Sequence, residues 1–112
     1  MLTYRAPGQL FKQTLAMIAV PIGTIISYGG ISIPPGYREC NGHAILRSTY
    51  PSFDQAMYCG DSANPTAAYG YHCTNATNPT GARDITGDYI ALPNLINIPY
   101  PGTTNLIFIG NL

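Results

Sequence analysis

The side chains of this 112-residue chain that could do chemistry are few: two histidines, three cysteines and five acidic residues. Asp84 and Asp88, in Ala82-Arg-Asp-Ile-Thr-Gly-Asp-Tyr89, invite a test as the carboxylate pair of a glycan-cleaving site, where one group protonates the leaving oxygen and the other attacks or activates water. The turn reading is the stronger one, because Asp beside Gly or Thr ordinarily caps turn backbone with its side chain. His43 and His72 form no HxH or HExxH pairing and make no zinc site within one chain. No Ser/His/Asp or Cys/His set has local support either. The chain is therefore read as a non-enzyme without a cofactor or metal.

The spacings of Cys40, Cys59 and Cys73 fit no CxxC metal or redox motif, and an odd count cannot pair fully within one chain. Cys40 is expected to behave as a small buried apolar group. A Cys59–Cys73 bridge would close a loop of about fifteen residues and contribute about 3 kcal/mol in the chain-entropy account. The residues leave that bridge and two free thiols equally open. Asn75-Ala-Thr77 has the form of a glycosylation acceptor, which is read as coincidence.

Residues 60–87 hold Asn, Thr, Ala, Gly and Pro with almost no apolar periodicity, a stretch longer than an ordinary loop. Tyr69, Tyr71, His72 and Asn75, with Tyr58, Asn64 and Asn78, give it the composition of a polar binding surface: Tyr brings rigid contact area and Asn adaptable hydrogen bonds. Binding is favoured over a purely structural role, since loops on rigid scaffolds carry binding more often than strands do.

The elements that must hold this loop are short. Gln9–Ala19 reads as a helix with Leu10, Thr14, Met17 and Ile18 on one face, ended by Pro21. Pro21–Ser27 reads as a strand, with Gly29-Gly30 as its exit and Ile31–Gly36 as a proline-directed turn. Tyr37–Cys40 and His43–Leu46 are expected to form a hairpin across Asn41-Gly42. Ser48 or Thr49 offers a hydroxyl cap and Pro51 a first turn for a helix over Tyr50–Tyr58, burying Phe53, Ala56 and Met57 and stopped by Gly60. Tyr89–Leu95 returns to apolar character, and Thr104–Ile109 reads as a terminal strand. The fold class expected is α+β, mainly short β-strands with one short helix.

Charged residues make up 9% of the chain, against roughly 25% in ordinary soluble domains, and the net charge is zero. Nucleic acid and anionic membrane surfaces need clustered Lys/Arg and are not expected partners. The longest apolar stretch, Leu15–Ile26, is interrupted by Pro21, Gly23 and Thr24, so no membrane insertion and no signal peptide is expected. So little surface charge points instead to self-association.

Four pieces in register carry a resemblance: Pro21-Ile-Gly-Thr-Ile-Ile-Ser-Tyr-Gly-Gly30, Ile33-Pro-Pro-Gly-Tyr-Arg-Glu-Cys-Asn-Gly42, Arg47-Ser-Thr-Tyr-Pro51 with Phe53, and Leu92-Pro-Asn-Leu95. In order and spacing they resemble the phage tail collar domain, over about half of the chain. The resemblance implies a small collar-type domain in a homotrimer at the tip of a tail fibre, or of a fibre-like contractile tail. Such a tip takes part in host attachment through a cell-surface glycan or outer-membrane component, and the protein would be a virion protein assembled in the host cytoplasm. Residues 1–20 are too short for a shaft and would attach to another tail fibre or baseplate protein, leaving 21–112 as the tip. A virion is assembled in a reducing cytosol and works outside it, so the compartment leaves the cysteines undecided. A trimer could also gather one histidine per subunit on its axis around a metal, as some relatives do, although a hydrogen-bonded or exposed imidazole is the simpler expectation. The Arg-Gly-Arg common after the Leu-Pro-Asp-Leu of relatives is replaced here by Ile96-Asn97-Ile98. A bacterial collar-domain protein outside any virion is the alternative, and a glycan depolymerase stands last.

Overall fold

The computed structural model describes residues 20–98 and 100–110; the helix expected over Gln9–Ala19 and nearly all of the attachment segment lie outside them. In chain order the elements are β1 (Ile25–Tyr28), β2 (Tyr37–Glu39), β3 (Ala44–Leu46), α1 (Pro51–Met57), β4 (His72–Cys73), a single 3-10 turn (Pro79–Gly81), β5 (Tyr89–Ala91) and β6 (Thr104–Phe108). They form an α+β domain, mostly strands, in two three-stranded antiparallel sheets ordered β1-β6-β2 and β3-β5-β4.

Pro21 to Thr24 is turn rather than strand: the Thr24 N–H and hydroxyl both donate to the Pro21 carbonyl, at 3.1 and 2.7 Å. β1 then lies against the C-terminal strand, with Ile26 opposite Leu106 and Ser27 opposite Asn105. The Asn105 carboxamide accepts from the Ser27 hydroxyl at 3.0 Å and donates to the Leu95 carbonyl at 2.6 Å. One buried amide thus ties the first sheet to the Leu92–Leu95 segment.

The expected hairpin across Asn41-Gly42 does not form. β2 pairs with β6 and β3 with β5, so the chain passes from one sheet to the other at this turn. Gly42 adopts φ +82°, as the Asn-Gly dipeptide demands, but its N–H donates to the Pro93 carbonyl at 3.1 Å. Two flanking strands of three residues each bury little against one another. Pairing each with a distant strand that carries Ile90 or Leu106 and Ile107, all fully buried, removes more apolar surface from water.

Helix α1 starts at Pro51 as expected, but its N-cap is Tyr50 and no side chain caps it, neither Ser48 nor Thr49. Proline at the first position already removes one of the donors that a cap would satisfy. Seven residues cannot hold a helix unaided; burial of Phe53, 1% exposed, holds this one. Met57 is half-buried, whereas Ala56 is exposed, contrary to the expected face.

The second sheet is covered on both faces. Ile45 and Ile90 point to one side, into a cluster with Phe53, Cys40, Leu92, Ile107 and Ile109. Ala44 and Ala91, one residue before and one after, point to the other side, into a cluster with Tyr71 and Cys73. This is the period-2 alternation of a strand, and it requires a second covering layer. Residues 60–87 supply that layer.

Candidate functional site

The 60–87 segment is therefore no free loop, and its lack of apolar spacing was misleading. Gly70, at φ +76°, donates to the Ala91 carbonyl at 2.8 Å and accepts from the Cys59 N–H at 2.9 Å. A Cβ there would lie 2.5 Å from the Met57 carbonyl oxygen, so only glycine lets the chain enter the core at this point. Tyr71, His72 and Cys73 follow, exposed by only 2%, 3% and 0%.

The segment is held by side chains that imitate backbone. Asn64 accepts from the His72 N–H at 2.6 Å and donates to the His72 carbonyl at 3.2 Å, which also accepts from the Asp84 N–H at 3.0 Å, so the outer edge of β4 is closed. The His72 ring stacks on Tyr58, with centroids 3.7 Å apart and planes 7° from parallel. Its Nδ1 meets the Ile85 carbonyl at 2.8 Å and its Nε2 meets Asp54 Oδ1 at 2.7 Å. Both ring nitrogens are thus engaged by oxygens of the domain itself, one from backbone and one from a side chain. Asp54 Oδ2 accepts from Arg47 Nε at 3.2 Å, and Arg47 Nη1 donates to the Gly87 carbonyl at 2.7 Å.

Tyr71 and His72, which the sequence suggested as parts of an exposed binding surface, thus have buried side chains. Two alanines, Ala44 and Ala91, leave room for the Tyr71 ring, and the Arg83 guanidinium covers it at 3.7 Å from the centroid while donating to the Asn64 carbonyl. Tyr69, 40% exposed, does face solvent. Asn75 is exposed but occupied: its Oδ1 accepts from the Thr77 N–H, the Thr77 hydroxyl and the Asn78 N–H at 3.0 to 3.1 Å. Asp84 makes a similar turn with Thr86, and these hydrogen bonds hold its carboxyl below the usual range. Asp88 is exposed and lines a different groove, beside Arg47 and Asp54.

The three cysteines are free. Cys59 Sγ points to the Gly60 carbonyl and Cys73 Sγ to the Asn75 carbonyl, so the bridge considered from the sequence is not made. Burial, with a smaller contribution from Glu39, pushes the Cys40 thiol up to about 11, and burial raises Cys73 as well. Neither is poised to react.

On the surface above Tyr71 lies a groove of about 320 Å³, bounded by the Asn41-Gly42-His43 turn, by Asn94 and by the Thr77–Thr80 turn. Asn94, Asn41 and Thr80 were not singled out from the sequence. Asn41-Gly42 was read there as a hairpin turn and Pro93-Asn94 only as part of the Leu92–Leu95 piece, although the dipeptides 41–42 and 93–94 meet in the fold.

Comparison of the chain with family models, with curated proteins and with solved structures returns no match. Among the described residues no helix is long and apolar enough to cross a membrane.

Proposed function

We propose that the chain is the receptor-facing tip of a tail fibre, or of a fibre-like contractile tail. In this reading it is a homotrimeric virion protein of collar type that binds a cell-surface component without catalysis. The observation that carries this reading is the meeting of two collar-like pieces far apart in the sequence. Cys40-Asn41-Gly42 and Leu92-Pro93-Asn94-Leu95 lie side by side, through Gly42 N–H to the Pro93 carbonyl at 3.1 Å and Leu95 N–H to the Cys40 carbonyl at 2.8 Å. Motif pieces that hold one another in place behave as parts of one scaffold rather than as chance matches.

Two further features support it. Ile31, Ile33, Ile96, Ile98 and Tyr100 are exposed by 103, 48, 51, 55 and 63%, and sister subunits would cover them. The 60–87 layer is pinned beneath but carries polar, uncharged residues such as Asn75, Thr77, Asn78 and Thr80 outward, a surface suited to recognition. Residues 1–20 would join the tip to another fibre or baseplate protein. Electron microscopy of particles labelled with an antibody to this chain tests the reading: label at the distal fibre end is expected, and label elsewhere, or none on particles, refutes it.

A further inference from the structure

We propose that the groove between the Asn41–His43 turn, Asn94 and the Thr77–Thr80 turn binds a neutral saccharide; the proposal rests on the tip reading and names the ligand class of that surface.

The first argument is charge. No Asp, Glu, Lys or Arg lines the groove, and His43 at its rim is the one side chain there that could pair with an anion, so the lining lacks the clustered or bidentate cations that hold a phosphate, a sulfated sugar or a carboxylate. Its volume of about 320 Å³ lies at the lower end of ligand pockets, which run from about 300 to 1,000 Å³.

The second is unused hydrogen-bonding capacity. Among the described residues the Asn94 and Asn78 carboxamides and the Thr80 hydroxyl have no partner, and Asn41 spends only its Oδ1, on the His43 N–H at 3.0 Å. Tyr71 is 2% exposed, yet its hydroxyl also has no partner among those residues. Among the described residues no fully buried side-chain nitrogen or oxygen lacks a partner, so this hydroxyl opens onto the groove that Tyr71 lines. A buried phenol that ends unpaired at the floor of a polar groove is a placed group. Carboxamides and hydroxyls each donate and accept, as do the hydroxyls of a sugar ring.

The third is rigidity. Gly42 is held to Pro93, and a Cβ on it would stand 3.1 Å from Asn94 Cβ, so the two walls meet in van der Waals contact. A site built on fixed backbone loses little entropy on binding. A peptide would need apolar pockets for its side chains, and this lining offers only Ala68, Pro79 and Leu92 as a fully apolar surface.

The test is titration of the ¹⁵N-labelled chain with glucose, galactose, mannose and N-acetylglucosamine, each as the monosaccharide and as its tetrasaccharide. Inorganic phosphate, a heparin tetrasaccharide and a neutral Gly/Ser peptide serve as comparison probes. At least one neutral sugar should shift the side-chain amides of Asn41, Asn78 and Asn94 and the Gly42 N–H. Tyr71→Phe and Asn94→Ala should each weaken that binding about tenfold, the equivalent of ~1.4 kcal/mol, while the thermal midpoint holds. Gly81→Ala, whose new Cβ would meet Asn78 Nδ2 at 2.7 Å and displace it, should weaken binding too. Shifts confined to the Tyr69 or Tyr100 surface, stronger binding of phosphate, heparin or peptide, or no shift with any sugar would each overturn the proposal. Particle labelling separates the two readings. Sugar binding at the groove by a chain absent from particles would sink the tip and leave the groove, whereas a labelled tip with no sugar binding would do the reverse.

Discussion

His72 on the edge strand β4 and Asp54 on helix α1 are joined at 2.7 Å, and through this contact the polar 60–87 layer is fastened to the scaffold. The His72 side chain is only 4% exposed and that of Asp54 18%, so removing one partner strands the other in a poorly solvated place. His72→Ala should cost about 3 kcal/mol of stability in urea denaturation. Asp54→Asn, which keeps an oxygen near the ring, should cost less. Equal midpoints for wild type and His72→Ala would show that the layer is held by other means.

Tyr71 and Tyr69 stand two residues apart and should differ sharply in what their truncation costs in stability. Tyr71→Ala removes a buried ring from its alanine-lined site and from beneath Arg83, at about 3–5 kcal/mol. Tyr69→Ala, at an exposed position, should stay within about ±0.5 kcal/mol while lowering adsorption to cells. Thermal melting and cell adsorption of the two variants side by side check both halves.

Thiol chemistry should follow burial. Below about pH 10 the folded chain should expose no reactive thiolate at Cys40, whose ionisation is pushed up to about 11. Because the folded value lies above the ordinary 9.0, the associated stability is present below pH 9 and is lost as pH rises towards 11. Intact mass after alkylation in urea without reductant should show three modified cysteines; two protected ones would mean a bridge.

Asp84 works with the opposite sign. Hydrogen bonds from the Thr86 N–H and hydroxyl favour its ionised form and lower its ionisation below 3.8, so its contribution is present above that pH and is lost as the solution becomes more acid. Asp84→Ala should therefore flatten the acid limb of the stability–pH curve. An unchanged limb in denaturation at stepped pH would remove the turn from the account.

Trimerisation is checked by multi-angle light scattering, with three subunits expected. Ile96→Asp together with Ile98→Asp, on exposed positions, should release monomers that remain folded, because neither side chain belongs to the two core clusters. A wild-type chain that stays monomeric beside its fibre partner would refute the assembly.

Local features were legible in the sequence because neighbouring residues decide them. Glycines at 36, 42 and 60 occupy positive φ where turns were expected, Pro51 opens the helix, and Tyr37–Glu39 and Thr104–Phe108 are strands within segments read as strands. Each depends on backbone sterics or on branching at one residue.

Strand partners and the inward direction of Tyr71 and His72 were settled only by the tertiary structure. A strand of two or three residues contains too few alternations for a period to be read, so Tyr71-His72-Cys73 looked like polar loop. The partners that make His72 tolerable inside, Asn64, Ile85 and Asp54, stand 8, 13 and 18 positions away, and no local pattern links them. Propensity along the chain was sufficient to place the turns. Burial of the second face of β5, which required a covering layer, decided that residues 60–87 fold inward and leave their amides at the surface.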